Sequence, residues 1–197
     1  MTSSAQHTGT LIVLCGPSGV GKSTISRKLA ARMRLKYIVS VTTRPPTPHD
    51  AHGKAYDHVL PDAFFRRIEN DEFLEYAKVY DEWYGTPKRP TLDYLANGED
   101  VLLEIDVQGA LQVRFQYADA LVVFIMPPDA ETLLRRLRER GRDTPEAIEK
   151  RFRNAKREIW MAKGSRAFDD MVINDDVDRA VAEVARLIKQ KKSVGGF

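Results

Sequence analysis

The run Gly16-Pro17-Ser18-Gly19-Val20-Gly21-Lys22-Ser23 is built for chemistry. It fits G-x-x-x-x-G-K-[ST], in which glycines let the backbone curl until its N–H groups point inward at phosphate oxygens. Lys22 neutralises phosphate charge, and the Ser23 hydroxyl is offered to Mg²⁺. A helix opening at Ser23 and Thr24 adds unpaired donors and a partial positive charge. Residues 16–24 therefore predict a nucleoside triphosphate site, with Lys22 acting on the transferred phosphate. The loop is silent about what receives that phosphate.

Two further groups could do chemistry. Arg136, Arg140 and Arg151 lie in a stretch that also holds Arg135, Arg138 and Arg142. Negative charge gathers on the oxygens of a moving phosphoryl group, and arginines carried by a closing segment stabilise it and exclude water. Glu104 and Asp106 end an apolar run, where parallel α/β sheets bind their ligands. Glu104 suits Mg²⁺ through water, and the sequence leaves open how the two carboxylates divide their duties. His7, His49, His52 and His58 stand in polar stretches without metal-ligand spacing, and none is assigned a catalytic role. Cys15 ends an apolar run and reads as a small buried hydrophobe.

These groups need a scaffold. Apolar runs at 11–15, 101–105, 120–125 and 171–173 have the continuous character of strands covered on both faces. Helical patterns at 23–33, 110–115, 130–140 and 177–190 alternate with them. This predicts an α/β fold, a parallel sheet wrapped by helices. Residues 42–90 break the rhythm with Pro, Asp, Tyr and Arg, at a length that suits a small mixed insertion rather than a loop. The expected organisation is one domain over 9–190. Its core is 9–39, 97–134 and 153–190, its insertion 40–96 and its lid 135–152. Loose tails at 1–8 and 191–197 complete the chain.

The insertion carries Ser40-Val41-Thr42-Thr43-Arg44-Pro45-Pro46, then Asp50, Gly53, Tyr56, Glu72-Phe73-Leu74-Glu75-Tyr76 and Trp83-Tyr84-Gly85-Thr86-Pro87. After it come Leu103-Glu104-Ile105-Asp106-Val107-Gln108-Gly109 and Asn174-Asp175-Asp176. In this order, from the phosphate loop onward, the chain resembles the guanylate kinases, P-loop enzymes of the nucleoside monophosphate kinase type. The resemblance implies Mg²⁺-dependent transfer from ATP to GMP, and to dGMP. It implies that Ser40, Glu75, Thr86 and Asp106 surround guanine, and that Arg44, Tyr56 and Tyr84 hold the GMP phosphate. Arg136, Arg140 and Arg151 would be the lid arginines, and Asn174 would lie near adenine. The chemistry agrees. Guanine presents N1–H and an N2 amino group side by side, which a carboxylate accepts, whereas the N1 lone pair of adenine meets a carboxylate repulsively.

Four positions depart from the family pattern. Thr47 replaces a second phosphate-binding arginine, Asp50 a glutamate, and Asp57-His58 a histidine-phenylalanine pair. Other readings fit less well. Peptide-binding relatives in scaffold proteins have degraded phosphate loops, and this loop is intact. A sugar phosphate acceptor would give Glu75 and Asp106 no paired N–H donors. A net charge of +3 does not argue for nucleic acid, since the basic cluster coincides with the lid. With one cysteine, a polar N-terminus and no long apolar run, the sequence predicts a cytoplasmic protein of open oligomeric state, with no membrane partner.

Overall fold

Leu11–Cys15 is apolar throughout and forms the buried central strand β1 of a five-stranded parallel sheet. The computed structural model describes residues 9–47, 56–139 and 144–194. β1 is flanked by β7 (Val101–Glu104) on one side and by β8 (Leu121–Met126) on the other. β9 (Asp170–Ile173) extends the sheet beyond β8. Beyond β7 lies β2 (Lys36–Tyr37), a two-residue edge strand absent from the expectations above. The order is β2-β7-β1-β8-β9.

An all-parallel sheet must be covered on both faces. On one face Ile12, Leu14, Leu102 and Val123 pack against Ile25 and Leu29 of α1 (Lys22–Met33) and Val184 and Ile188 of α7 (Val177–Val194). On the other, Val13, Leu103, Val122 and Phe124 meet Ala110 and Val113 of α4 (Val107–Gln116). Each fully buried aliphatic side chain contributes about 1.5–3 kcal/mol. α5 (Ala130–Glu139) adds Leu133 and Leu137 to the first cluster. α6 (Pro145–Lys163) sends Ala155 into the first and Ala162 into the second, so it bridges both faces.

The expected mixed insertion is a second, four-stranded sheet. β3 (Ser40–Thr42), β4 (Tyr56–His58), β5 (Phe73–Val79) and β6 (Glu82–Pro87) take the order β4-β3-β6-β5. β3 and β4 are parallel, and the other pairs antiparallel. α2 (Pro61–Glu69) starts on a proline, whose missing N–H costs nothing in a first turn. It drives Phe64 into a small core of Val41 and Phe73, with the Phe64 and Phe73 rings stacked 4.6 Å apart. α3 (Lys88–Ala96) leads back to β7.

Three expectations are corrected here. Helix α7 runs on to Val194, so residues 191–194 are helix and not loose tail. Asp106 is not on the strand with Glu104. β7 stops at Glu104, and Asp106 is the N-cap of α4, its Oδ1 accepting the Gly109 N–H at 2.9 Å. Helix α4 accordingly begins at Val107, three residues earlier than the helical pattern implied. Asp is a favoured N-cap because its side chain satisfies an otherwise unpaired helix N–H.

Candidate active site

β1 and β7 end side by side, with Leu14 registered against Glu104. The phosphate loop follows one strand and Asp106 the other, so parallel pairing alone brings the two predicted half-sites together. In the loop Gly16, Gly19 and Gly21 all have positive φ, at 136°, 93° and 95°. A Cβ on Gly21 would also overlap Nδ2 of Asn174. No side chain caps α1, so its first N–H groups stay available to an anion. The Lys22 ammonium donates to the carbonyls of Gly16 (2.5 Å) and Pro17 (3.1 Å).

Ser23 Oγ donates to Glu104 Oε1 at 2.5 Å, and the Tyr37 hydroxyl donates to Oε2 at 3.1 Å. Burial, then the neighbouring Glu104, pushes the Tyr37 phenol above its usual range. Asn174 is almost wholly buried, and its Nδ2 donates to Val20 O at 2.6 Å. Its tie to the donor site thus runs through the loop. The Asn174 carbonyl accepts from Arg136 Nη2 at 2.9 Å.

Glu75, only 4 % exposed, accepts from the Thr86 hydroxyl at 2.6 Å across the β5–β6 pair. A Cβ on Gly109 would overlap Glu75 Oε2 and come within 3.3 Å of Asp106 Oδ1. Both carboxylates therefore converge on the first turn of α4, and the absence of a side chain at Gly109 makes room for them. Burial pushes the Glu75 carboxyl up to about 7, against the Thr86 hydrogen bond, and Asp106 adds to the rise. Ser40 is buried on β3, opposite Tyr56.

The Arg44 guanidinium lies over the Tyr56 ring at 5.4 Å, and Tyr56 meets Tyr84 edge-on at 5.5 Å. The three predicted phosphate-binding side chains thus form one group. His58 Nδ1 donates to the Arg44 carbonyl at 2.7 Å, which gives the unusual Asp57-His58 pair a bracing part in it. Arg151 stacks on Tyr80 at 5.4 Å, and its neighbour Lys150 pairs with Asp81 at 3.4 Å. α6 therefore touches the tip of the β5–β6 hairpin. Arg140, Asp50, Gly53, His49, His52, His7 and Arg142 lie outside the described residues.

Sequence reasoning missed Tyr37, Gly109 as a spacer, and Glu158. On α6 the positions Ala155, Glu158, Ile159 and Ala162 share one inward face. Burial pushes Glu158 up to about 7, against the pull of Lys22, with Asp106 raising it further. A glutamate at helical spacing among apolar residues was the available signal.

A parallel sheet whose first strand runs through a glycine-rich, lysine-bearing loop into an uncapped helix, with an acidic residue ending the adjacent strand, defines a P-loop kinase. Comparison narrows this. The guanylate kinase family model matches residues 8–191. Guanylate kinase of Gloeobacter violaceus is 49% identical over 90% of this chain and 86% of its own length. That of Caldanaerobacter subterraneus is 44% identical over 96% and 91%. The crystal structure of guanylate kinase from Anaplasma phagocytophilum superposes with a TM-score of 0.78 at 29% identity, covering 94% of this chain and 87% of the other. The chain belongs to the guanylate kinase family, and so to the nucleoside monophosphate kinases.

Proposed function

We propose that the chain moves the γ-phosphate of ATP onto GMP, giving ADP and GDP, and accepts dGMP in the same site. The observation that carries this is the convergence of Glu75 and Asp106 around Gly109, beside the Arg44–Tyr56–Tyr84 group. Residues 40–96 act as the acceptor unit and 135–152 as the lid. A GMP phosphate oxygen attacks the γ-phosphorus in line as the bond to the ADP oxygen breaks. Lys22 and the lid arginines, Arg136 at its anchored start and Arg140 and Arg151 beyond it, neutralise charge on the γ oxygens. Arg44, Tyr56 and Tyr84 orient the attacking phosphate. Ser40, Thr86, Glu75 and Asp106 fix the base.

The residues fit Mg²⁺. Among the described residues no three His, Cys, Asp or Glu side chains cluster as a metal cage. Mg²⁺ keeps several waters and binds through few protein oxygens plus substrate phosphates. Ser23 and Glu104 would hold it, and it would neutralise charge on the β and γ phosphates. Among the described residues no helix is long and apolar enough to cross a membrane. We place the enzyme in the cytoplasm, working on free nucleotides and not on nucleic acid.

A coupled assay with ATP, Mg²⁺ and a panel of GMP, dGMP, AMP, CMP and UMP tests the reading. GMP is expected to exceed AMP in kcat/KM by orders of magnitude, and equal use of the two would overturn it.

Accepting N–H bonds from guanine requires ionised Glu75, so below about pH 7 binding must first remove a proton. The KM for GMP should rise as pH falls through 7, approaching tenfold per unit. The GMP phosphate also titrates in this region, so the comparison is with Glu75→Gln, which should lack the component centred near 7.

Thr47→Arg should lower the KM for GMP by one to two decades, since a charged hydrogen bond contributes about 1.5–3 kcal/mol. In the free protein Lys88 pairs with Asp71 at 2.5 Å and Arg89 with Asp93 at 3.8 Å. An unchanged KM would place residue 47 away from the phosphate.

A further inference from the structure

Glu104 is held at both ends. Ser23 donates to one carboxylate oxygen at 2.5 Å and Tyr37 to the other at 3.1 Å. The second contact follows from topology. β2 pairs with β7 so that Tyr37 stands opposite Leu102. Leu102 and Glu104, two residues apart on the strand, share the face covered by α1. The Tyr37 ring packs against that same cluster, which fixes the ring and aims its hydroxyl one strand across and two residues on.

A phenol at neutral pH is a donor with a fixed direction, and a carboxylate can only accept. Ser23 alone would leave Glu104 free to turn about a single hydrogen bond. With both oxygens engaged, the carboxylate has one orientation, and each oxygen keeps a further lone pair for the water shell of a cation. Groups that hydrogen-bond to a metal-binding carboxylate from behind fix its orientation in this way.

We infer that Tyr37 is the positioning residue of the metal site: it holds Glu104 in the orientation that receives Mg²⁺ with ATP, and touches neither nucleotide itself. The inference rests on the proposed role of Glu104. It assigns a function to the two-residue edge strand, which otherwise contributes little to the sheet.

The test uses calorimetric titration of ATP into the full chain over a series of Mg²⁺ concentrations, for the wild type, Tyr37→Phe and Glu104→Gln. Phenylalanine keeps the ring packing, and a thermal melt checks that the fold is kept. Tyr37→Phe is expected to raise the Mg²⁺ concentration that gives half of the gain in ATP affinity, by about 3- to 10-fold. Affinity for ATP in EDTA should not change, nor should the KM for GMP. An unshifted Mg²⁺ dependence, or an equal loss of affinity with and without Mg²⁺, overturns the positioning role. If Glu104→Gln shifts the Mg²⁺ dependence and Tyr37→Phe does not, only Tyr37 is misassigned. If Glu104→Gln also leaves it unshifted, the metal role of Glu104 falls and this inference falls with it.

Discussion

Glu75→Gln is expected to lower kcat/KM for GMP by about 10²- to 10³-fold while leaving the KM for ATP within a factor of about three. The side chain is buried, already accepts from Thr86, and stands beside Asp106. An amide has one accepting oxygen: kept on Thr86 it turns N–H toward the guanine N–H groups, and turned toward guanine it gives up both the negative charge and the Thr86 donation. Breaking such a pair costs more than the bond is worth on average, because both partners are left unsatisfied. The preference for GMP over AMP should shrink by a similar factor, since sites built around hydrogen bonds discriminate through what they leave unpaired. Steady-state kinetics with both acceptors measures this. A change in GMP kcat/KM of less than threefold would mean that guanine is read elsewhere.

The second large effect concerns the donor. Lys22→Ala should reduce kcat by about 10³-fold or more, since the ammonium acts on charge that grows in the transition state. In the free protein this group bridges the carbonyls of Gly16 and Pro17, so its loss also loosens the loop. A melting temperature within a few degrees of wild type would show that the rate loss is not unfolding. Turnover within tenfold of wild type would remove Lys22 from the chemistry.

Features set by neighbours in sequence were legible in advance. The phosphate loop is contiguous, and its glycines, lysine and serine sit at fixed offsets. Strands β1, β7, β8 and β9 are apolar runs that any parallel sheet requires. The mixed insertion was legible from its composition and length, and the residues proposed to bind GMP were drawn from family resemblance. β2 was not, because Lys36 and Tyr37 are half-buried edge residues with no apolar signature. Nor was the work of Tyr37, Gly109 and Glu158, which depends on what the fold brings against them. Asp106 read as a strand residue because its place in the chain fits either role. The Gly109 N–H bonded to its side chain and the Ala110 N–H bonded to its carbonyl mark the helix start.

The anchoring of Arg136 to the Asn174 carbonyl has an energetic consequence. A free arginine side chain holds roughly 2 kcal/mol of rotamer entropy, which a ligand must overcome if it orders the group on arrival. Here the ordering is completed during folding, one guanidinium nitrogen being tied to backbone and another buried. In the role proposed for Arg136, an incoming nucleotide would meet a cation already in position, and that share of the entropic penalty would fall on the stability of the apoprotein rather than on catalysis.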